Sequence, residues 1–312
     1  MTGPEPASGA GRFAPSPSGD LHIGNLRSGL LAYVRARQTG RRFLWRIEDL
    51  DRVRAGSAQS QLDVFAELGV TPDEEPLIQS QRHDVYAAAI AELDAAGLVF
   101  ECYCSRKDIA QAPSAPHGPP GAYPGTCRRL GEDERRQQRE RLAHNGRQPA
   151  LRLRADNRAH HIDDALLGRV VAPVDDLVLR RGDGVFAYNL TVVVDDGASG
   201  VDEVVRGDDL ASSAPRQAYL ARLLGITEPN WVHVPLVLND NGQRLAKRDG
   251  AVTYQQLRSL GWTAADVFAW MQKSLAPTMT GPRWKDIDDM ISGVDFAEMP
   301  TSPTVFIPPA DS

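Results

Sequence analysis

The sequence has no long apolar segment. Across its 312 residues, no apolar run reaches the ~18 residues that a membrane-spanning helix requires. Its first residues, MTGPEPASGA, lack both the basic start and the apolar stretch of a secretion signal. Hydrophobic residues make up 42% and charged residues 24% of the chain, which is typical of a soluble globular protein. We therefore expect a soluble, cytoplasmic protein of about two domains, or of one domain with a sizeable insertion.

Cysteine is scarce and confined to one region. The chain contains three cysteines, and Cys102, Cys104 and Cys127 all lie within 26 residues. An odd, clustered set in a cytosolic chain argues against a disulfide framework and favours a metal site. The segment between Cys104 and Cys127 is rich in proline and glycine, and a long loop of this kind needs an external tie to stay ordered.

The chain also lacks an excess of positive charge. Its formal net charge is -6, which argues against a surface built for general adhesion to nucleic acid. One window departs from this balance, because residues 128–158 contain ten arginines and five acids. Such a window is either a solvated helix with i,i+4 ion pairs or a surface that faces phosphates.

A strand, a helix and a second strand follow one another near the N-terminus. Residues 11–18 are typical of a short strand that enters a turn, and residues 26–38 have apolar side chains at helical spacing. Phe43–Ile47 is the second strand of the unit. This pattern predicts a right-handed βαβ unit, whose phosphate-binding end is the loop after the first strand.

Later segments continue the alternation of helices and strands. We predict helices over residues 57–70, 84–97 and 213–225, and strands over residues 185–196 and 231–240. Strands that alternate with helices indicate a parallel sheet. Residues 251–312 are helical at first and become rich in proline and serine from Pro300, where we expect fraying.

Two polar loops carry groups that could hold a polyphosphate. His22, Gly24 and Asn25 stand at the turn into the first helix, where backbone N–H groups favour anions. Arg244, Lys247 and Arg248 stand in a glycine-flanked loop after a strand. Taken singly, the histidine is typical of a helix cap and the cations of a basic surface turn, so both alternatives stay open at this point.

Six motifs occur in the order and approximate spacing of one enzyme family. They are GRFAPSPSGDLHIGN, RIEDLDRVR, QSQRHDVY, FAYNLTVVVDD, VRGDDL and RLAKRDG. As a set they resemble the glutamyl branch of the class I aminoacyl-tRNA synthetases, over residues 11–255. The resemblance implies an α/β fold: a Rossmann-like catalytic domain with an inserted zinc-containing subdomain.

The resemblance also implies a domain organisation. Residues 1–100 would form the first half of the catalytic domain, 101–185 the insertion with the zinc site, and 186–255 the second half with the lysine loop. Residues 256–312 would form a short helical C-terminal region and tail. That region is too short for the helical anticodon-binding domains of full glutamyl-tRNA synthetases, which we expect to be absent.

This shortening and the cysteine pattern resemble a paralogue of the same branch. The resemblance implies ATP-dependent activation of L-glutamate to glutamyl-adenylate without tRNA, followed by transfer of glutamate to queuosine at the wobble position of tRNA(Asp). One alternative is a truncated glutamyl-tRNA synthetase that charges a tRNA 3′ end. Another is a non-catalytic module that binds glutamate or ATP. We expect a monomer, because the chain has no obvious apolar tail.

The resemblance assigns a glutamate pocket. A pocket for glutamate needs a carboxylate for the ammonium group and cationic or hydroxyl donors for the carboxylates. Glu48 would bind the ammonium, Arg12 and Arg206 the carboxylates, and Tyr188 would add a hydroxyl. The loop residues would shape the pocket: Phe13, Ala14, Pro15 and Ser16. The alternatives are a salt bridge from Arg206 to Asp208 or Asp209, and a core position for Tyr188.

The nucleotide site follows from the same resemblance. ATP would be bound by His22, Gly24, Asn25, Arg244 and Lys247, with Mg²⁺ on the nucleotide. His22 and Lys247 would be the catalytic donors to phosphate. Two positions depart from the family pattern: Asn25 replaces the second histidine of the signature, and Ala246 replaces a serine in the lysine loop. We expect activation to be retained but slower.

The metal site is also assigned by resemblance. Cys102, Cys104, Tyr123 and Cys127 match a zinc pattern in which tyrosine is the fourth ligand. Three thiolates and one oxygen would close a tetrahedral site, so the zinc would be structural. His117 lies in the same loop and is in general a better zinc ligand than phenolate. Tyr123 is therefore the fourth ligand that the resemblance implies, and His117 is the alternative fourth ligand. Three reduced buried cysteines without metal are the remaining alternative.

Overall fold

A computed structural model describes residues 9–111, 123–245, 252–275 and 281–307 of the chain. Lys247 and His117, both named in the sequence predictions, lie outside these residues. None of the helices in the described ranges is long and apolar enough to cross a membrane.

The first half of the catalytic fold begins with the predicted βαβ unit. Strands β1 and β2 pair in parallel around helix α1, and β3 adds a third parallel strand beside β2. The elements are β1 (Ala10–Phe13), α1 (Ile23–Gln38), β2 (Arg42–Ile47), α2 (Ser57–Glu67), β3 (Leu77–Ile78), a 3₁₀ turn (Gln79–Gln81) and α3 (His83–Ala95). Helix α1 is the centre of the main core, because Leu26, Leu30 and Val34 are fully buried.

The next segment contains most of the predicted insertion. Its elements are β4 (Val99–Cys102), α4 (Arg106–Gln111), α5 (Glu132–His144), β5 (Ala150–Leu153), β6 (Ala159–Asp164), β7 (Gly168–Pro173) and β8 (Val178–Arg180). Strands β4, β5 and β8 form a separate antiparallel sheet. Strands β6 and β7 form an antiparallel hairpin whose β6 also pairs with a strand of the catalytic sheet. Part of this segment therefore extends the catalytic sheet.

The second half completes the sheet. Its elements are α6 (Tyr188–Ala198), β9 (Glu203–Gly207), a 3₁₀ helix (Asp208–Ser213), α7 (Ala214–Leu223), β10 (Asn230–Val234), β11 (Val237–Leu238), α8 (Tyr254–Ser259), α9 (Ala264–Leu275), α10 (Ile287–Gly293) and β12 (Thr304–Val305). Strands β9 and β10 pair in parallel. Hydrogen bonds from Ala10 N–H to Gly200 O and from Asp202 N–H to Ala10 O, both 3.1 Å, hold β1 beside the start of β9.

The strand order across the catalytic sheet places the cleft. Reading from the edge, the parallel strands run β3, β2, β1, β9 and β10, so the chain order reverses between β1 and β9. In open α/β sheets, ligands bind at the carboxyl ends of the strands where the order reverses. We therefore expect a ligand-binding site in the crevice at the carboxyl ends of β1 and β9.

The prediction of a strand over residues 185–196 is wrong. The structure has helix α6 over Tyr188–Ala198. Leu190, Val192, Val193 and Val194 are all buried, so this part of the helix has no polar face from which helical spacing could be read. A short apolar run rich in valine cannot be assigned to strand or helix by periodicity alone, and tertiary packing decides it.

The fraying predicted beyond Pro300 is also wrong within the described residues. Strand β12 pairs in parallel with β11, with Thr304 aligned to Val237 and Val305 to Leu238. Phe306 is buried in the main core, which fixes this segment against the catalytic fold.

Candidate active site

Four of the predicted glutamate-binding side chains meet in the crevice. Arg12 stands near the end of β1, Glu48 directly after β2, Arg206 near the end of β9 and Tyr188 at the start of α6. They lie close enough that Glu48, Arg206 and Arg12 all act electrostatically on the Tyr188 phenol. Residues separated by up to 194 positions are thus brought to one place by the sheet.

Arg206 is a buried cation without an anionic partner among the described residues. Its side chain donates to His233 Nε2 at 3.0 Å, to Gln217 Oε1 at 2.8 Å and weakly to Leu210 O at 3.4 Å. The salt bridge to Asp208 or Asp209 considered from sequence is not formed there. The residue is only 6% exposed, and burial lowers the pKa of the guanidinium. A buried guanidinium that bonds only neutral acceptors is suited to receive an anion.

Tyr188 borders the cleft and is not a core residue. Its side chain is 40% exposed, which excludes the core position considered from sequence. Burial against its neighbours and the nearby Glu48 raise the pKa of the phenol. The hydroxyl is therefore protonated at neutral pH and can donate a hydrogen bond.

Glu48 is the carboxylate of the cleft. Its Oε1 accepts from Arg46 Nη2 at 3.2 Å, and its side chain is 11% exposed. Burial raises the pKa of Glu48, while Arg46 and Arg12 oppose that change. An ammonium group brought by a ligand would stabilise the ionised form further, so Glu48 is a suitable ammonium acceptor.

Arg12 is fixed by a residue that sequence reasoning missed. Asp196, on α6, accepts from Arg12 Nε at 3.2 Å and from Arg12 Nη2 at 3.3 Å, and it also accepts from Arg46. Its neighbour Asp195 accepts from Gln79 at 2.8 Å, Arg82 at 2.7 Å and Tyr86 at 2.9 Å. The sequence signal for these contacts is the pair Asp195 and Asp196 directly after an apolar run. Carboxylates buried with such a run require hydrogen-bond or ion-pair partners.

The loop after β1 is held from several sides. Pro15 O accepts from Glu48 N–H at 3.3 Å, and Ser16 O accepts from Ser18 N–H at 2.8 Å and from Gln61 Nε2 at 3.2 Å. The buried Gln61 also donates to Gly19 O at 2.8 Å, and Gly19 has a φ of 133° that favours glycine. These bonds fix the backbone that includes Ala14, Pro15 and Ser16 beside the cleft.

Phe13 differs in role from the rest of that loop. Its ring lies 5.1 Å from Trp45 in an edge contact and 5.1 Å from Phe65 in a stacked one. One side of the ring therefore packs on the core while the residue stays partly exposed, and the role of Phe13 in a glutamate pocket stays a prediction.

His22 is the N-cap of α1, and the hydrogen bond that it accepts as a cap shows which of its ring nitrogens carries the proton. Asn25 N–H donates to His22 Nδ1 at 3.2 Å, so Nδ1 carries the lone pair and the neutral ring carries its proton on Nε2. A side chain at position 24 would place its Cβ 3.1 Å from His22 Nδ1, which explains glycine there. His22, Gly24 and Asn25 thus form one tight turn at the amino end of a 16-residue helix, where N–H groups favour anions.

The lysine loop lies partly outside the description. Ala246, Lys247 and Arg248 are among the residues that the structure does not describe. Arg244 is described, and its guanidinium pairs with Asp209 at 2.6 Å while remaining 64% exposed. The alternative of a basic surface turn therefore holds for Arg244 in this conformation, and a nucleotide would have to compete with Asp209 for it.

Cys102, Cys104 and Cys127 form a group that could hold a metal ion. Their sulfur atoms all lie within 4.8 Å of one another, and Cys104 Sγ is 3.5 Å from Cys127 Sγ. Tyr123 Oη accepts from Cys127 N–H at 2.8 Å and lies near Cys102 and Cys127. A hydrogen bond with Cys102 lowers the pKa of Cys127 to about 7. Tetrahedral zinc separates sulfur ligands by about 3.8 Å, so this donor set fits zinc.

The arginine-rich window divides into paired and unpaired side chains. Arg128 pairs with Asp176, Arg136 with Asp133 at 2.8 Å, and Arg139 with Glu101 at 2.7 Å. The side chains of Arg135, Arg141 and Arg147, on α5 and the turn after it, make no hydrogen bond or ion pair with the described residues, and the same holds for Arg129 and Arg158. A solvated helix explains the paired side chains, whereas the three arginines on and just after α5 carry positive charge without a contact partner in the described residues.

The fold is that of a class I aminoacyl-tRNA synthetase catalytic domain. The family model for tRNA synthetases class I (E and Q), catalytic domain, matches residues 10–280. Two solved structures share the fold: a glutamate tRNA ligase from Elizabethkingia meningosepticum CCUG26117 in complex with its amino acid, and a glutamate-tRNA synthetase from Elizabethkingia anophelis. The first has a TM-score of 0.79 at 22% identity and covers 96% of this chain and 67% of that chain. The second has a TM-score of 0.77 at 22% identity and covers 96% and 68%.

Relatives with similar sequences identify the branch of the synthetase family to which the chain belongs. The chain is 55% identical over 297 residues to a glutamyl-Q tRNA(Asp) synthetase of Nocardia farcinica, covering 95% of this chain and 93% of the relative. It is 40% identical over 309 residues to a glutamyl-Q tRNA(Asp) synthetase of Symbiobacterium thermophilum, covering 94% of each. The chain therefore belongs to the family of glutamyl-Q tRNA(Asp) synthetases.

Proposed function

We propose that this protein is a ligase that activates L-glutamate with ATP and transfers it to queuosine in tRNA(Asp). In the first step a glutamate α-carboxylate oxygen attacks the α-phosphorus of ATP, the bond to the β-phosphate oxygen breaks, and pyrophosphate leaves. The family and its printed name support the acceptor. Such an enzyme would act in the cytoplasm, where ATP and tRNA are available.

The observation that carries the proposal is Arg206. It is a buried guanidinium whose hydrogen-bond acceptors among the described residues are all neutral, and it stands with Arg12, Tyr188 and the carboxylate of Glu48 at the point where the strand order reverses. Arg12 already shares Asp196 with Arg46, so Arg206 is the cation best placed to take up a new anion. Glutamate brings one more carboxylate than most amino acids, and Glu48 would receive its ammonium group.

His22 and the start of α1 would hold the phosphates of ATP. Nε2–H of His22 and the helix amino end would donate to phosphate oxygens, with Gly24 and Asn25 in the same turn. Lys247 and Arg244 would approach from the opposite loop, and Mg²⁺ bound to ATP would neutralise phosphate charge. Because one chain builds the described cleft, we propose that a single copy performs the activation step.

The proposal is tested first by isotope exchange. The purified protein, without tRNA, is expected to catalyse exchange between pyrophosphate and ATP only when L-glutamate is present, and not with L-glutamine. Labelled glutamate is then added with ATP and tRNA(Asp) that contains or lacks queuosine. Label on the anticodon fragment of the queuosine-containing tRNA supports the proposal. Label on the 3′ adenosine indicates a charging enzyme instead, and absence of exchange indicates a binding module.

We further propose that Cys102, Cys104, Tyr123 and Cys127 hold one structural zinc ion. Cys127→Ser is expected to lose the metal, and Tyr123→Phe to bind zinc at least about 10-fold more weakly, because an outer-shell partner alone contributes about 10- to 100-fold. Bound zinc is measured by elemental analysis of protein purified without a histidine tag, and affinity by competition with a chelator.

Two further variants complete the metal experiment. Tyr103→Phe removes a nearby phenol that donates to Glu101, and it should leave zinc affinity unchanged. His117→Ala distinguishes the alternative fourth ligand, since a loss of affinity in that variant but not in Tyr123→Phe would reverse the assignment. A wild-type protein with almost no zinc would remove the metal site from the proposal.

We also propose that Arg135, Arg141 and Arg147 contact RNA phosphates. Replacing all three by glutamine should weaken tRNA binding and make the slope of log affinity against log salt shallower by about 2 to 3, since each phosphate contact contributes about 0.7 to 0.9. Fluorescence anisotropy at several salt concentrations measures both. Arg136→Gln, at a position already paired with Asp133, is the matched control. An unchanged slope in the triple variant would contradict the proposal, provided that pyrophosphate exchange is normal.

A further inference from the structure

A chain of buried hydrogen bonds runs behind Arg206. Asp164 Oδ2 lies 2.6 Å from His233 Nδ1, and His233 Nε2 lies 3.0 Å from Arg206 Nε. On the other side, Arg206 Nη1 donates to Gln217 Oε1 at 2.8 Å, and Gln217 Nε2 donates to Asn189 Oδ1 at 3.0 Å. The side chains of Asp164 and His233 are both 0% exposed, so water does not compete for these bonds.

The chemistry of the partners fixes the direction of every bond. Arginine is only a donor, so His233 Nε2 must accept from Arg206 Nε–H and carry a lone pair. His233 Nδ1 is then the protonated nitrogen, and it donates to the Asp164 carboxylate. Burial lowers the pKa of His233, which agrees with a neutral ring. Asp164 thus selects the histidine tautomer that can accept from Arg206.

This arrangement leaves part of the guanidinium available to a ligand. A guanidinium has five N–H donors, and those of Arg206 engage His233, Gln217 and, weakly, Leu210 O. Donor capacity therefore remains on the terminal nitrogens, beside the Tyr188 hydroxyl, where a carboxylate oxygen could accept hydrogen bonds. Because His233 separates Asp164 from Arg206, the carboxylate holds the arginine without neutralising it by direct contact.

Asp164 is itself rigidly held at the end of β6. Its Oδ1 accepts from Leu166 N–H at 3.0 Å and from Leu167 N–H at 2.9 Å, and its Oδ2 also accepts from His233 N–H at 3.1 Å. Strand β6 belongs to the segment predicted as the insertion, so that segment reaches the wall of the cleft.

We propose that Asp164, acting through His233, is a positioning residue that holds Arg206 as the receptor for a substrate carboxylate and so favours glutamate over glutamine. The inference rests on the proposed function. Glutamine offers an amide N–H₂ where glutamate offers an acceptor oxygen, and a donor that faces the fixed N–H groups of Arg206 leaves buried polar groups unpaired. The discrimination depends on the direction in which Arg206 is held.

The test begins with Asp164→Asn. The amide can keep the turn bonds through Oδ1, but its Nδ2–H₂ would replace Oδ2, which loses the bond from His233 N–H. The same Nδ2–H₂ would donate to His233 Nδ1, which forces the ring proton to Nε2. Two donors then face each other between His233 and Arg206. We expect the KM for glutamate in pyrophosphate exchange to rise by about 10- to 100-fold, with the KM for ATP unchanged and the preference for glutamate over glutamine reduced. Asp163→Asn, the same change at the exposed neighbour, is the matched control.

A second variant separates tautomer control from a loss of folding. His233→Gln can still accept from Arg206 through its amide oxygen but no longer depends on Asp164 for a tautomer. We expect it to raise the glutamate KM less than Asp164→Asn does, and we expect Asn at position 164 to have no further effect in its background. This non-additivity is specific to the proposed relay. If Asp164→Asn does not fold, His233→Gln provides the test. A rise in its KM for glutamate with an unchanged KM for ATP supports the proposal, and an unchanged KM for glutamate contradicts it.

The outcomes separate this inference from the function beneath it. If the wild-type protein shows no glutamate-dependent exchange, the proposed function fails. If the wild type is active but both variants keep the wild-type KM for glutamate, the positioning role is overturned and the proposed function stands. The same conclusion follows if the KM for glutamate and the KM for ATP rise in parallel in the variants.

Discussion

Asp196→Asn is expected to destabilise the protein by about 3 to 5 kcal/mol, because it leaves the buried Arg12 guanidinium without its ion-pair partner and removes one of the carboxylates around the buried Arg46. Asp196 is the shared partner of Arg12 and Arg46, and all three residues are buried. Burial alone would raise the pKa of Asp196, but Arg12 and Arg46 reverse this and hold it below the ordinary value. The free energy of unfolding is measured by urea denaturation at pH 7.

Because Arg12 and Arg46 lower the pKa of Asp196, we expect the stabilising effect of this carboxylate to depend on pH. A carboxyl whose pKa is lower in the folded than in the unfolded state contributes stability above its unfolded pKa, and the contribution disappears as the pH falls through the folded pKa. The difference in unfolding free energy between wild type and Asp196→Asn should therefore be full at neutral pH and shrink below the ordinary aspartate range. Urea denaturation between pH 7 and about 3 measures it.

A half-exposed aspartate provides the control. Asp202 pairs with Arg41 at 2.8 Å, and its side chain is 44% exposed. Surface ion pairs contribute about 0 to 1 kcal/mol, so Asp202→Asn should have a small effect. Equal losses in the two variants would show that the Asp196 cluster does not behave as a buried, charge-compensated unit.

Local signals were enough to predict the start of the fold. The βαβ unit follows from apolar spacing along α1 and from the flanking strands, and the structure has β1, α1 and β2 within a few residues of the predicted bounds. The strand over β10 and the helix α7 follow from the same kind of pattern. Helix α1 has buried residues at helical spacing, whereas β2 and β10 are short runs buried on both faces, which their length and their aromatic or β-branched residues indicate as strands.

Two kinds of element could not be predicted in this way: a helix whose apolar run is buried on all sides, and short strands that contain charged side chains. The sequence of helix α6 predicts a strand because its run of apolar and β-branched residues has no helical spacing, and the structure buries its valines regardless of face. Strands β5 and β6 are not predicted because ALRL is only four residues long and AHHIDD is mostly polar, and their stability comes from pairing with distant strands. Such pairing is set by tertiary context and leaves little local signal.

The partners of the site residues were harder still to predict. Family motifs place Arg12, Glu48 and Arg206, but nothing in the motifs pairs Arg12 with Asp196 or links Asp164 to Arg206 through His233. These contacts join positions separated by 184 and 69 residues. They became visible only once the sheet brought the carboxyl ends of β1, β9 and β10 together.

His22 allows the largest expected loss of activity to be separated from stability. The ring has two distinct tasks: Nδ1 caps α1 by accepting from Asn25 N–H at 3.2 Å, and Nε2–H is the nitrogen able to donate to a phosphate. Asparagine reproduces the first task, since it is a favoured helix N-cap, whereas glutamine places an amide near the position of Nε2. We therefore expect the two variants to have opposite profiles.

His22→Asn should change the free energy of unfolding by less than about 0.5 kcal/mol while slowing glutamyl-adenylate formation by about 10²- to 10³-fold, the typical effect of removing one donor to developing charge. His22→Gln should lose about 1 kcal/mol of stability with the cap but retain more activity. Single-turnover formation of the adenylate and urea denaturation measure the two quantities. If His22→Asn is as active as wild type, the histidine is a cap alone, and phosphate must be held by other groups at the amino end of α1 or in the lysine loop.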